Sequence, residues 1–471
     1  MFGSANRRTA AYEWTSVRRR ALLGLSAAGI AAALLLFGGI FSTPRPIDPV
    51  RDAFALAGTS GPQQNALAGL LAGLSSGDTV GYVRRLEERV TRDPHDGQAL
   101  TLLGLSYQQL GRETGDPTYY SLSGRALARA ARAGGPLPLV VQGEASLANT
   151  RHRFSDGLRL ARRAVALDPD NGSALGALGD ALLNLGRYRP AFADYDRMVL
   201  TAPGIASYTR VANARELIGH RAAAAQADRD ALAIDHTVPE NIAWTMVQLG
   251  NVSFNRGHLA AAGRAYERAL ARYPGYVHAE AGLARAEAAR GEYPAAIRRL
   301  QRVVEVLPLP AYVILLGDVL HVSGHEQEAN REYALVGTIE RLFAANGVRT
   351  ELQTAVFDLD HARDVTAALH RARLAYESAP GVYAEDALAW GLFRTGHCVR
   401  AERHSARALR LGTKDALMMF HRAMIERCLG SPSARIWFQR ALTTNPHFSL
   451  LWAPVAERAV GIDRGRDGGS A

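Results

Sequence analysis

Between Leu178 and Pro203 the chain reads LGDALLNLGRYRPAFADYDRMVLTAP. Leu178 and Leu182, then Tyr188, Ala191 and Tyr195, recur at the three- and four-residue spacing of one helix face. Gly186 interrupts the run and Pro203 ends it. An interior glycine costs a helix about 1 kcal/mol relative to alanine, so one long helix fits poorly. Two antiparallel helices fit better, the first stopped at Gly186 and the second at Pro203. Gly179 and Ala191 then mark places where two helix backbones approach closely.

The pattern recurs. Leu103-Gly104, Tyr107 and Gly111 open an early copy, followed by extra residues at 112–120 and an end at Pro136. Phe154, Ala164 and Pro169 supply a second helix. Leu249-Gly250, Gly257, Ala262, Tyr266, Ala269 and Pro274 form one of the best copies. Leu283-Ala284, Gly291, Tyr293, Ala296 and Pro308 follow, then Leu316-Gly317, Leu320, Gly324, Ala329 and Tyr333. Looser copies contain Ala368, Ala375 and Pro380, then Gly396, Ala401 and Ala408, then Ala434, Phe438, Ala441 and Pro446. Pro169 to Pro203 is 34 residues, and so is Pro274 to Pro308. Residues also accumulate near 237–242 and 343–348, and His236, Arg341 and Thr413 stand where a proline is expected.

This pattern resembles the tetratricopeptide repeat family, which places Leu-Gly, Tyr, Ala, Phe/Tyr, Ala and Pro at these offsets in a 34-residue helix–turn–helix. The resemblance covers residues 77–448 and implies an all-α solenoid of about ten units. It further implies a concave surface that holds a segment of another protein. Residues 449–471 read as a capping helix, begun by LLWAPVAERAVG, and a disordered tail.

Residues 21–41, ALLGLSAAGIAAALLLFGGIF, carry no charge. At about 1.5 Å per residue they span roughly 30 Å, one bilayer core. Arg18-Arg19-Arg20 precede them, so residues 1–20 are expected to form a cytoplasmic basic arm and 21–41 a single transmembrane helix. Residues 42–76, rich in Pro, Gly, Ser and Ala, read as a linker with one weak helix. The repeats would then lie outside the cytoplasm of a bacterium, on the cell membrane. The alternative is a signal peptide, cleaved or of twin-arginine type, which would release the same repeats as a secreted protein.

Composition alters this little. The net charge of +10 includes five arginines against Glu13 in residues 1–20, and no dense basic run follows, so nucleic-acid binding is not indicated. Lys414 is the one lysine. Cys398 and Cys428 exclude a CxxC motif, but the register places them side by side, at the start of one unit's second helix and near the end of the next unit's first. A disulfide is allowed there, with two separate buried thiols as the alternative. The nearest histidine pairs are His397/His404, His361/His370 and His321/His325. Only the last has helical i,i+4 spacing, and Gly324 interrupts it; no HExxH occurs. No nucleophile elbow or phosphate loop is present either. Neither a metal nor a cofactor is expected, and repeats leave no stretch for a catalytic domain.

In the family that this chain resembles, the residue after the Leu-Gly pair faces the groove. Here that row reads Ser146, Asp180, Asn213, Asn251, Arg285 and Asp318, with Asn149, Asn184, Asn255 and His321 one turn further on. The resemblance implies that Asp180, Asn184, Asn213, Asn251, Asn255, Arg285 and Asp318 could bond an extended peptide; plain solvation of a polar groove is the alternative. Trp244 and Phe254 are candidate anchors or ordinary core. The expected function is a non-catalytic, membrane-anchored scaffold for a protein or peptide partner. An exported assembly or secretion chaperone is the alternative, with an enzyme whose site lies in the groove further behind.

Overall fold

The computed structural model describes residues 78–234 and 239–462. The basic arm, the apolar run 21–41, the linker up to residue 77 and the tail from residue 463 lie outside the described residues. Among the described residues no helix is long and apolar enough to cross a membrane.

All regular structure among these residues is helical. A leading helix, Thr79–Arg92, is followed by ten antiparallel pairs. Units 1 to 5 are Gly97–Thr114 with Thr118–Arg132, Leu137–Thr150 with Phe154–Leu167, Gly172–Asn184 with Tyr188–Thr201, Ile205–Leu217 with Arg221–Ile234, and Pro239–Phe254 with Leu259–Arg272. Units 6 to 10 are Val277–Ala289 with Tyr293–Val306, Pro310–Val322 with Glu326–Ala345, Glu351–Asp360 with Val365–Ser378, Val382–Arg394 with Cys398–Ala408, and Ala416–Cys428 with Ser433–Thr444. A short helix, Ala453–Val460, closes the stack.

The motif's physical content is visible in units 3, 5 and 7. A Cβ on Gly179, Gly250 or Gly317 would lie 2.4, 2.3 or 2.4 Å from Cε1 of Tyr195, Tyr266 or Tyr333. Each tyrosine ring therefore rests on the bare backbone of its partner helix. Unit 6 has Ala284 and Leu300 in those places, both fully buried. The larger small residue is matched by a smaller large one. Ala191 and Ala262, the other small positions, are also fully buried.

Each first helix must reverse within a few residues. The residue that reverses it has positive φ, between 68° and 87° at Gly186, Gly219, Gly257, Gly291, Gly324, Gly396 and Gly430. Glycine adopts this conformation without a Cβ penalty. His152 and Ala362, both at φ 55°, take its place in units 2 and 8.

These turns have a second role: they touch the loops between units about 5.7 repeats later, taking 34 residues per repeat. The Val382 amide donates to the Tyr188 hydroxyl at 2.8 Å, and the Thr413 hydroxyl donates to the Leu217 carbonyl at 2.6 Å. His152 Nδ1 lies 2.6 Å from the Arg349 carbonyl, and Arg221 donates to the Lys414 carbonyl. The separations along the chain are 194, 196, 197 and 193 residues. One turn of the array thus closes onto the next. Gly186 and Gly219 lie so close to the carbonyls of Pro380 and Gly412 that a Cβ would come within 2.6 and 2.3 Å.

Two irregularities of the sequence period are part of this clasp. The residues near 343–348 lengthen the second helix of unit 7 to 20 residues. They place Asn346 against the Ser121 hydroxyl at 2.8 Å, and the Arg349 amide then bonds the Arg151 carbonyl at 3.2 Å. The extra residues at 112–120 put Gly115 against Leu307 and Leu309.

Candidate functional site

Closure of the array brings the first helices of units 4 to 10 around one cavity of about 390 Å³. Asn213, Phe254, Asn255, Arg285 and Asp318 line it, from four successive units. Asp360, Tyr383 and Leu417 continue the wall through units 8, 9 and 10. Asp180, Asn184, Trp244 and Asn251 are not among its lining residues.

The row after Leu-Gly is bonded within the protein. The hydroxyls of Tyr195, Tyr266 and Tyr333 donate to Asp180, Asn251 and Asp318 at 2.9, 2.9 and 2.8 Å. The next unit adds a cation or imidazole to each. Arg210 pairs with Asp180 at 2.9 Å, Arg285 donates to Asn251 at 3.2 Å, and His361 Nε2 meets Asp318 at 2.7 Å. The expectation that this row bonds a partner's backbone is thereby narrowed, because Asp180, Asn251 and Asp318 already hold adjacent units in register. Asn184 Nδ2 donates to the Asp180 carbonyl at 2.9 Å, one turn back on its own helix. Asn255 Nδ2 donates to Glu216 at 3.1 Å.

Phe254 and Arg285 form the apolar and cationic centre of the wall. The guanidinium lies 3.9 Å from the centroid of the Phe254 ring, a cation–π contact. Its Nε is buried and makes no hydrogen bond among the described residues. Trp244 instead joins an aromatic row on three successive first helices: it meets His278 edge-on at 5.6 Å, and His278 meets Tyr312 at 6.0 Å. Burial holds the His278 imidazole below its ordinary pKa.

Unlike the row in units 3 to 7, the far wall is acidic and aromatic. Asp360 accepts from the indoles of both Trp390 and Trp452 at 3.0 Å. Asp415 caps the first helix of unit 10 through the amides of Leu417 and Met418. Burial raises the pKa of both carboxyls. Behind them His421 Nδ1 lies 2.9 Å from Asp386, and its ring stacks on Trp390 at 4.2 Å. Burial alone would lower the His421 pKa, but Asp386, Asp360 and Asp415 together outweigh it and leave it raised. Units 8 to 10 lack the Leu-Gly pair that set the register of the row. Asp360 ends the first helix of unit 8, Tyr383 lies in the first turn of unit 9 and Asp415 caps unit 10, so none of them stands at the row position that follows the pair. No group of three or more possible metal ligands exists among the described residues.

Away from the cavity, Cys398 begins one helix and Cys428 ends another, as the register requires. Their sulfurs are at bonding distance, with the Cα atoms 6.2 Å apart.

Residues 143–205 and 254–319 each match a family described as Tetratricopeptide repeat. Among curated proteins none matches the chain. Solved structures with a similar arrangement include human IFIT1 as a dimer with PPP-AAAA, at 14% identity and TM-score 0.43, covering 84% of this chain and 93% of that one. Yeast Tom70 follows at 13% identity and TM-score 0.34, with 76% and 95% covered. A tetratricopeptide repeat protein from Parabacteroides merdae ATCC 43184 has 14% identity and TM-score 0.37, with 51% and 98% covered.

Proposed function

We propose that this tetratricopeptide-repeat protein is a non-catalytic scaffold that binds an extended segment of a protein partner in the cavity between units 4 and 10. The observation that carries the reading is the convergence of Asn213, Phe254, Asn255, Arg285 and Asp318, from four units, on one cavity. Arg285 and Phe254 both line the space, a cation stacked on an aromatic ring. A peptide carbonyl or carboxylate over an apolar side chain complements that pair. A photo-crosslinking residue at Asn213, inside the cavity, is compared with one at Leu200, which is 81% exposed on the second helix of unit 3. Adducts with one defined partner are expected from 213 and are lost in Arg285→Glu. Adducts from 200 alone would refute the cavity as the binding site.

The scaffold is proposed to be held at the cell membrane by residues 21–41, with the repeats outside the cytoplasm. The uncharged run behind Arg18–Arg20 supports this. A reporter active only outside the cytoplasm, fused after residue 60, should work; activity of a strictly cytoplasmic reporter at that site would overturn the topology. N-terminal sequencing that begins near residue 43 or 58 would replace the anchor with a cleaved signal.

A further inference from the structure

A second cavity, of about 930 Å³, lies at the clasp and shares no lining residue with the first. Its wall comes from the turn of unit 2, the second helix of unit 7, the loop that follows it, and both helices of unit 8. Five arginines line it: Arg153, Arg341, Arg349, Arg363 and Arg371. Three carboxylates stand against them, Glu340, Glu351 and Asp358, which leaves a surplus of two positive charges.

Few of these charges are matched within the fold. Arg371 bonds Asp358 at 2.7 Å, and Arg153 pairs with Asp156 at 2.6 Å. Glu340 accepts from the Thr354 hydroxyl. Arg341 reaches the Thr338 hydroxyl at 3.0 Å, and Arg363 lies 5.6 Å from the centroid of the Phe357 ring. Arg341, Arg349 and Arg363 make no ion pair among the described residues. Behind the wall stands a sixth guanidinium. A Cβ on Gly347 would lie 3.5 Å from Arg151 Nε, which is buried and makes no hydrogen bond among the described residues. Burial lowers the Arg151 pKa, and the charge of Arg153 lowers it further.

A cleft lined by one sign of charge focuses its field and concentrates counter-ions. Guanidinium groups meet phosphate oxygens in a planar, two-pronged geometry. A phosphate group carries up to about two charges on three acceptor oxygens, so it can meet more than one guanidinium at once. We propose that this second cavity binds a multivalent phosphate-bearing anion through Arg341, Arg349 and Arg363, and that the anion fastens the clasp by bridging Arg153 of unit 2 to units 7 and 8. Pockets of about 300–1,000 Å³ suit a small molecule, and this one lies within that range. Its position gives binding a structural effect. The Arg349 amide bonds the Arg151 carbonyl and its carbonyl meets His152, so an anion on Arg349 acts on the contact that closes the array.

The test titrates the full chain with sodium tripolyphosphate by isothermal calorimetry at fixed ionic strength. Wild type should bind it, and Arg349→Glu/Arg363→Glu should weaken binding at least about tenfold. Both arginines are exposed, so the pair should melt as wild type does; Arg349→Gln/Arg363→Gln, which adds no charge, replaces it if it does not. Arg268→Glu, at an exposed position on the second helix of unit 5, should bind as wild type does. Tripolyphosphate should also slow amide exchange across residues 151–153 and 347–351 of wild type. No binding by wild type, or an equal loss in Arg268→Glu, would overturn the site. Binding of a hexaglutamate peptide but not of tripolyphosphate would overturn phosphate as the ligand class. Binding with unchanged exchange would overturn the fastening of the clasp. None of these outcomes bears on the first cavity, which has different walls.

Discussion

Replacing Gly250 with alanine tests the packing rule that builds the array. The new Cβ would sit 2.3 Å from Cε1, 2.7 Å from Cδ1 and 2.9 Å from Cζ of Tyr266. Ordinary carbon contacts lie at about 3.5–4.0 Å, so the ring must move by roughly 1 Å or more. It has nowhere to go. A Cβ on Gly282 of the next unit would lie 2.6 Å from the same Cε1, so the ring fills the space between two backbones. Its hydroxyl is tied to Asn251 at 2.9 Å, and the side chain is fully buried. Overpacking of this kind costs about 1–3 kcal/mol, against a helix-propensity gain of about 1 kcal/mol for Gly→Ala. The expected net effect is a loss of up to about 2 kcal/mol. Gly263, on the second helix of the same unit, has nothing within 4 Å of its would-be Cβ, so Gly263→Ala should stabilise by about 0.5–1 kcal/mol. Repeats open locally, so amide hydrogen exchange across residues 239–289 is the suitable readout. Unit 6 supplies the rescue: Gly250→Ala/Tyr266→Leu recreates its Ala284–Leu300 pair and should recover part of the loss. Protection in Gly250→Ala equal to that in Gly263→Ala would refute the reasoning, as would a double variant no better than the single one.

Further predictions follow from charge and covalent structure. Asp228 is 1% exposed, its Oδ1 makes no hydrogen bond among the described residues, and burial pushes its pKa to about 7. The unfolded chain ionises at a lower pH, so the cost is absent in acid, grows from about pH 4 to 7 and is constant above. Asp228→Asn should therefore stabilise by about 2–4 kcal/mol at pH 8 and by little at pH 4, measured by urea unfolding; equal effects at both would refute it. His361 and His421 are raised even though burial alone would lower them, because Asp318 and Asp386 face them. Their contribution is then fully present below about pH 6.5 and is lost as pH rises through the higher folded values. His421→Gln should flatten that part of the stability profile, and an unchanged profile counts against the pair. Reduction of Cys398–Cys428, which closes a 30-residue separation, should cost about 3–4 kcal/mol by chain entropy. Two alkylatable thiols in protein purified under non-reducing conditions would mean that the bond is not made.

The helical units were legible because each is specified locally. Gly186, Gly257 and Gly324 mark the turns, and Gly179, Gly250 and Gly317 mark where a tyrosine must rest. Spacing alone reveals these positions, since helix geometry repeats every 3.6 residues. The neighbourhood of Cys398 and Cys428 follows from the same register. What spacing could not show is which row residues remain free. Asp180 and Asn251 stand in the same row as Asn213, yet tyrosine and arginine from other helices engage the first two, while Asn213 lines the cavity.

The sequence by itself determined the secondary structure, the repeat and the small-to-large pairing within each unit, because those depend on residues at most one repeat apart. Only the tertiary structure decided where the array closes. Small rotations between neighbouring units accumulate until Tyr188 meets Val382 and Leu217 meets Thr413, and no local pattern encodes that sum. The cavity and its acidic far wall follow from this closure, because they depend on residues brought together only after a full turn of the array.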